Sequence, residues 1–192
     1  MHVLDSRRQI IKKGLLGAAG LTVALAAVKF ALIKAECLPI LTFPHPLLRQ
    51  PAQSISAIDE TIVRTAKQMI ALLRTRAMVE FFLKGSLPKG LSAPQIGVSK
   101  RLTVCGLQGE LKVLVNPVII EKKGTYDNRE YCLSLPHHQT RTIQRSQYVR
   151  LHYQDMGGMQ HTLVAANSDA GLLEHETDHL NGILYIDHQS SV

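Results

Sequence analysis

The sequence predicts an α+β domain. Three features predict it: a helical apolar period early in the domain, a series of β-prone runs broken by turns, and a second helix near its end. In the first feature Ile62, Ala66, Met69 and Leu73 recur at spacings of four, three and four, so they share one face of a helix that Ser56 or Asp59 can cap. The pattern continues from Arg74 to Lys84 through Ala77-Met78-Val79-Glu80-Phe81-Phe82-Leu83. Its aromatics are expected to extend the core rather than to form a lid or a partner surface.

Strands follow at Leu102–Cys105, Leu111–Val115, Val118–Glu121, Tyr148–Tyr153 and Gln160–Val164, with Asp155-Met156-Gly157-Gly158 as a hairpin turn. Residues 37 to 192 make one domain of ordinary size without an internal repeat, expected to act as a monomer. Of the formal charge of +7, residues 1 to 36 contribute +4 (six Lys/Arg against two Asp/Glu), which leaves +3 (sixteen against thirteen) for the domain. With most of the basic character in the leader, and no Trp beside five Tyr and four Phe to stack bases, nucleic acid is not an expected partner.

The late helix carries the chemistry. Asn167, Ser168 and Asp169 offer an N-cap, the stretch from Ala170 to Asn181 has no Pro, and Gly182 is a natural stop. Within it, His175-Glu176-Thr177-Asp178-His179 sets two imidazoles nearly above one another, where both can reach one ion. A single His pair at this spacing reads as an ordinary amphipathic helix. The Glu after the first His changes the balance, because it lies beside the ion and can take a proton from water there.

Two histidines leave a divalent metal short of ligands, since a catalytic site takes about three from the protein and keeps one position for water. The thirteen residues after His179 offer only Asp187 and His188. Upstream, Glu130-Tyr131-Cys132-Leu133-Ser134-Leu135-Pro136 holds a Cys in a β-prone run, and Cys132 is the best third ligand.

Three separated blocks then resemble the peptide deformylases: Gly90-Leu91-Ser92-Ala93-Pro94-Gln95-Ile96-Gly97, Glu130 to Ser134 around Cys132, and His175 to Gly182. Their order and spacing are similar to the family's from about Ile40 to His188. The resemblance implies short antiparallel sheets around a central helix that carries the metal motif. It implies that Cys132, His175 and His179 bind one divalent metal, Fe2+ first, with Zn2+, Ni2+ or Co2+ as alternatives, and that Glu176 is general base and acid. Gln95, through its side-chain amide, and Leu133, through its backbone N–H, would donate to the formyl oxygen as it becomes tetrahedral. Gly90 and Tyr131 would line the groove for an N-formylated peptide or nascent-chain N-terminus.

The chain departs from that pattern in places. Pro88 and Tyr131 stand where the family usually has Gly, Ser92 stands where Ala is common, and Gln139 and Arg141 both lie near the position of a usual Arg. Pro88 lacks an N–H and Tyr131 adds bulk beside the strand edge where a peptide would lie. Three hypotheses follow. The first is a hydrolase that releases formate from formyl-methionyl peptides. The second uses the same metal centre on another small N-acyl substrate, and the third is a peptide-binding relative without turnover. Retention of Gln95, Cys132, His175, Glu176 and His179 argues against the third.

Residues 1 to 36 read separately. Ser6-Arg7-Arg8-Gln9-Ile10-Ile11-Lys12 resembles a twin-arginine export signal, and Gly14 to Val28 follows without a charge, extendable past Lys29 to Ile33. An export signal and a membrane anchor both remain open, ahead of a transit peptide or a packed helix. Either would place the enzyme at or across a membrane, in the periplasm if exported, with the membrane or export machinery as partner. Ala35 is the one reasonable cleavage end, and Glu36 before Cys37 is no lipoprotein signature. Three cysteines make no disulfide framework: Cys105 is expected in a buried strand, and a Cys37–Cys105 bond has no sequence support.

Overall fold

The computed structural model describes residues 39–84, 89–138 and 140–190, which belong to one compact unit, Leu38–Val192. The readings of the leader, of Pro88, of Gln139 and of the aromatic side chains in the 77–84 extension lie outside the described residues.

Helix α1 spans Glu60–Lys84, and Asp59 rather than Ser56 caps it, its Oδ1 accepting the Ile62 N–H at 2.9 Å. Ile62, Ala66, Met69 and Leu73 are all buried, as their spacing predicts. The main sheet has five antiparallel strands in the order β1 (Gly90–Ser92), β2 (Leu102–Leu107), β3 (Glu110–Lys123), β6 (Tyr148–Gln154) and β7 (Gln160–Ala166). A second sheet pairs β4 (Tyr126–Glu130) with β5 (Arg141–Arg145). Helix α2 spans Ser168–Leu180.

The two strands expected at 111–115 and 118–121 are one strand, β3, irregular at Asn116-Pro117. Pro117 has no N–H for the ladder, and the register with β6 shifts between Val115 and Val118. Asn116, at φ 50°, fills the gap with its side chain, bonding the Ile55 N–H and carbonyl at 2.8 Å each and Gln154 Oε1 at 3.0 Å. Strands β1, β4 and β5 were not among the expected ones. β1 has three residues, and Tyr126-Asp127-Asn128-Arg129-Glu130 is polar because one face meets water and the other meets the site. The β6–β7 turn forms where Asp155-Met156-Gly157-Gly158 predicts it, with Asp155 Oδ1 accepting the Gly157 and Met159 N–H groups at 2.8 and 3.0 Å.

Strand β2 is buried on both sides, which sets the layers. Leu102 and Val104 pack with Met69 and Leu73 of α1, while Cys105 and Leu107 face the other way, onto Ala170 and Leu173 of α2. The sheet therefore lies between the helices, and the α+β class read from the sequence holds. Gly182, at φ 74°, ends α2 as expected, and a Cβ there would stand 2.7 Å from the Arg49 carbonyl group.

Among the described residues no helix is long and apolar enough to cross a membrane. The longest, α1, carries Glu60, Arg64, Lys67, Arg74 and Arg76.

Candidate metal centre and active site

One loop and one helix face bring three donors together. Cys132 leaves the end of β4, His175 and His179 stand four residues apart on α2, and the ligand atoms of all three lie within 4.8 Å of one another. Cys132 Sγ is 3.2 Å from His179 Nε2, and the two imidazole rings sit 4.9 Å apart at 85°. A thiolate and two imidazoles, with Cys132 and His175 exposed to the adjoining cleft, suit a borderline-soft divalent ion that keeps an open position. Burial alone would raise the Cys132 thiol, but His179 and His175 outweigh it and hold the group well below its usual range. The alternative ligands are engaged elsewhere: Asp187 pairs with Arg49, and His188 Nε2 meets Asp178 Oδ2 at 2.8 Å.

Glu130 orients the first histidine. Its Oε2 meets His175 Nδ1 at 2.7 Å, which turns Nε2 toward the other ligands. Arg145 Nε donates to Glu130 Oε1 at 2.7 Å and its Nη1 to Asp178 Oδ2 at 2.6 Å, in a network almost closed to solvent. Burial works to raise the Glu130 carboxyl, and His175 and Arg145 overcome it, bringing it down to about 2. Arg145 escaped the sequence reading because no spacing ties it to Cys132 or His175; only the pairing of β4 with β5 carries it there. Glu130 had a legible signal, a carboxylate two residues before Cys132.

Glu176 is clamped from two sides. Ser92 Oγ donates to its Oε2 at 2.6 Å, and a Cβ on Gly90 would lie 2.1 Å from its Oε1. Gly90 is thus glycine because the carboxylate occupies the space of a side chain. Burial holds the Glu176 carboxyl above its usual range, against the pull of His175 and His179 and the Ser92 hydroxyl, which is the direction a general base needs.

Gln95 is set by its own turn. Its Oε1 accepts the Ser92 N–H at 2.8 Å, which leaves Nε2 facing Ser134 Oγ at 3.2 Å and Cys132 Sγ at 3.6 Å. Leu133 and Tyr131 line the cleft beside Cys132, and Gly90 lines it opposite. Arg141 does not: it sits on β5 and donates to the Ile186 carbonyl, while the arginine that reaches the cleft is Arg129. Cys105 is a buried free thiol, as its apolar run predicts.

The polypeptide deformylase family matches residues 37–192 of the chain. Peptide deformylase of Desulfotalea psychrophila is 34% identical over 161 residues, covering 81% of this chain and 89% of that protein. A peptide deformylase of Dehalococcoides mccartyi is 38% identical over 154 residues, covering 79% and 86%. Among solved structures, peptide deformylase from Thermotoga maritima superposes with a TM-score of 0.69 at 31% identity, covering 79% of this chain and 97% of that one. The Synechococcus elongatus enzyme in complex with actinonin gives 0.70 at 33% identity, covering 79% and 78%.

These findings correct the expected location. A membrane-anchored or exported, periplasmic enzyme does not stand: the family that matches residues 37–192 and the relatives found are peptide deformylases. The metal-donor cluster, the clamped carboxylate and the matches over the whole domain agree, and the chain belongs to the peptide deformylase family.

Proposed function

We propose that residues 37 to 192 are a metal-dependent amide hydrolase that removes the formyl group from N-terminal formyl-methionyl peptides and releases formate. The observation that carries this reading is the convergence of Cys132, His175 and His179 beside a Glu176 carboxylate held by Ser92 and Gly90. When bound, a divalent ion, Fe2+ first and Zn2+, Ni2+ or Co2+ otherwise, lowers the pKa of water enough to give a nucleophile at neutral pH.

The chain's own residues do the rest. Glu176 accepts the proton of the attacking water at its carboxylate and returns it to the departing amine. Gln95 Nε2 and the Leu133 backbone N–H donate to the formyl oxygen, where charge builds as the carbon becomes tetrahedral. Because Ser92 fixes Gln95 Oε1, the amide meets that oxygen without reorganising. The peptide lies along β1, the terminal strand of its sheet, whose free edge runs past Gly90 toward the cleft. Tyr131 stands at the same cleft and limits the bulk of what enters.

The test is formate release by the purified protein loaded with Fe2+ without oxygen, using formyl-methionyl and acetyl-methionyl peptides side by side. Formate from the formyl peptides with no cleavage of the acetyl ones is expected. Fully metallated protein that releases no formate would sink the reading, and cleavage of the acetyl peptides instead would favour another N-acyl substrate.

A further inference from the structure

Hydroxyl groups line the wall behind Glu176. The pairing of β1 with β2 sets Ser92 opposite Thr103 and Gly90 opposite Cys105, and the two-residue period of a strand turns Ser92, Thr103 and Cys105 toward α2. Leu91 and Val104, the pair between them, go to the core on the α1 side. Ser92 is 0% exposed and Thr103 1%, so each hydroxyl must find its partners inside the fold.

Ser92 Oγ has three acceptors in reach: Glu176 Oε2 at 2.6 Å, the Glu176 backbone carbonyl at 3.0 Å and Thr103 Oγ1 at 3.3 Å. A hydroxyl has one hydrogen to give. Ser92 gives it to the carboxylate, the nearest acceptor and the charged one, where a hydrogen bond is roughly twice as strong as between neutral groups. Thr103 Oγ1 donates to the Leu91 carbonyl at 3.1 Å, which fastens the backbone beside Ser92, and it stands 3.5 Å from the same Oε2. The other carboxylate oxygen is left open. Among the described residues nothing donates to Glu176 Oε1, which lies on the Gly90 side, where both residues line the cleft.

We infer that Ser92 and Thr103 are positioning residues for Glu176: they anchor Oε2 in the wall, so that Oε1 is the oxygen that works as base and acid. The O–H bond of the attacking water breaks as Oε1–H forms, and that hydrogen passes to the amine nitrogen as its bond to the formyl carbon breaks. A glutamate side chain is long and free to turn, and holding its carboxylate before the substrate arrives removes that search from the reaction. The inference rests on the deformylase reading, and its test separates the two.

Full-length, metal-loaded wild type is compared with Ser92→Ala, Thr103→Val and Thr103→Ser for metal content, urea midpoint, and kcat and KM on a formyl-methionyl tripeptide. Ser92→Ala should keep its metal and its KM and lose kcat by about 10- to 100-fold, the effect of one hydrogen bond to a charged group. Thr103→Val, of the same shape, should lose about two- to tenfold, while Thr103→Ser, which keeps the hydroxyl, should stay close to the wild type. An unchanged kcat in Ser92→Ala, or one that falls only together with bound metal, overturns the inference; if that variant does not fold, equal kcat in the two Thr103 variants overturns it. Crystal structures of wild type and Ser92→Ala remove the dependence on turnover, because the carboxylate should leave the Gly90 side in the variant. A carboxylate still in place there rejects the positioning role whatever the turnover. A displaced carboxylate, with no formate released from any peptide by the wild type, keeps the positioning role and rejects the deformylase reading.

Discussion

In the proposed mechanism each side chain at the centre does a different job, and single substitutions should separate them. Cys132→Ala or His175→Ala should lose bound metal and activity together, while Glu176→Ala should keep the metal and lose turnover, because the proposal has the first two hold the ion and the third move protons. Elemental analysis showing a full metal complement in Cys132→Ala would remove that residue from the ligand set. Gln95→Ala should lower kcat by roughly 10² to 10³ with little change in KM, since in the proposed mechanism its amide donates to an oxygen that becomes anionic only in the transition state. An unchanged kcat would reduce Gln95 to a turn residue that supports Ser92. The donor set of Cys132, His175 and His179 with Glu176 beside it was read from residue types and spacing, and Gln95 from the resemblance to the family. The donors Ser92 and Arg145 were not, because each reaches its partner across the fold, Ser92 to Glu176 and Arg145 to Glu130.

At the scale of elements, the β4–β5 pair is fastened to α2 through Glu130 and Arg145, with Asp178 at the far side. The fastening is ionic and buried, so acid should loosen it. The Glu130 carboxyl ionises at about 2 in the folded chain, against ~4.3 when unfolded. A depressed folded pKa gives stability that is complete above the unfolded value and is lost as pH falls from ~4.3 toward 2. The denaturant midpoint of metal-free protein should fall through that window by an amount worth up to about 3 kcal/mol, and Glu130→Gln should flatten the fall. Identical pH profiles for the two proteins would show that the carboxylate orients His175 without holding the elements together. The absence of β4 from the strands expected from the sequence follows from the same fact, since a strand whose inner face pairs with charged groups has no apolar alternation to read.

At the scale of the whole molecule, the sheet separates a structural side from a chemical side. Met69 is buried among Leu73, Leu91 and Val104 on the α1 side, while Glu176, His175 and His179 lie on α2 and Cys132 follows β4. Met69→Ala should therefore cost about 2–5 kcal/mol of stability and leave metal content and the kcat of folded molecules unchanged. Urea denaturation beside a metal assay checks both, and loss of metal at full folding would show that the two sides are coupled through β1 and β2.

The sequence by itself determined the α+β class, the core face of α1, the end of α2 at Gly182 and the pair of histidines that share one helix face, because each is written in local spacing: a helical period, a positive-φ glycine, two histidines one turn apart. Only the tertiary structure decided why Gly90 must be glycine, which serine holds Glu176 and which arginine fixes Glu130. Those answers come from residues tens of positions apart, joined by strand pairing and by the layering of β1 and β4 against α2, and no local period encodes contacts of that range.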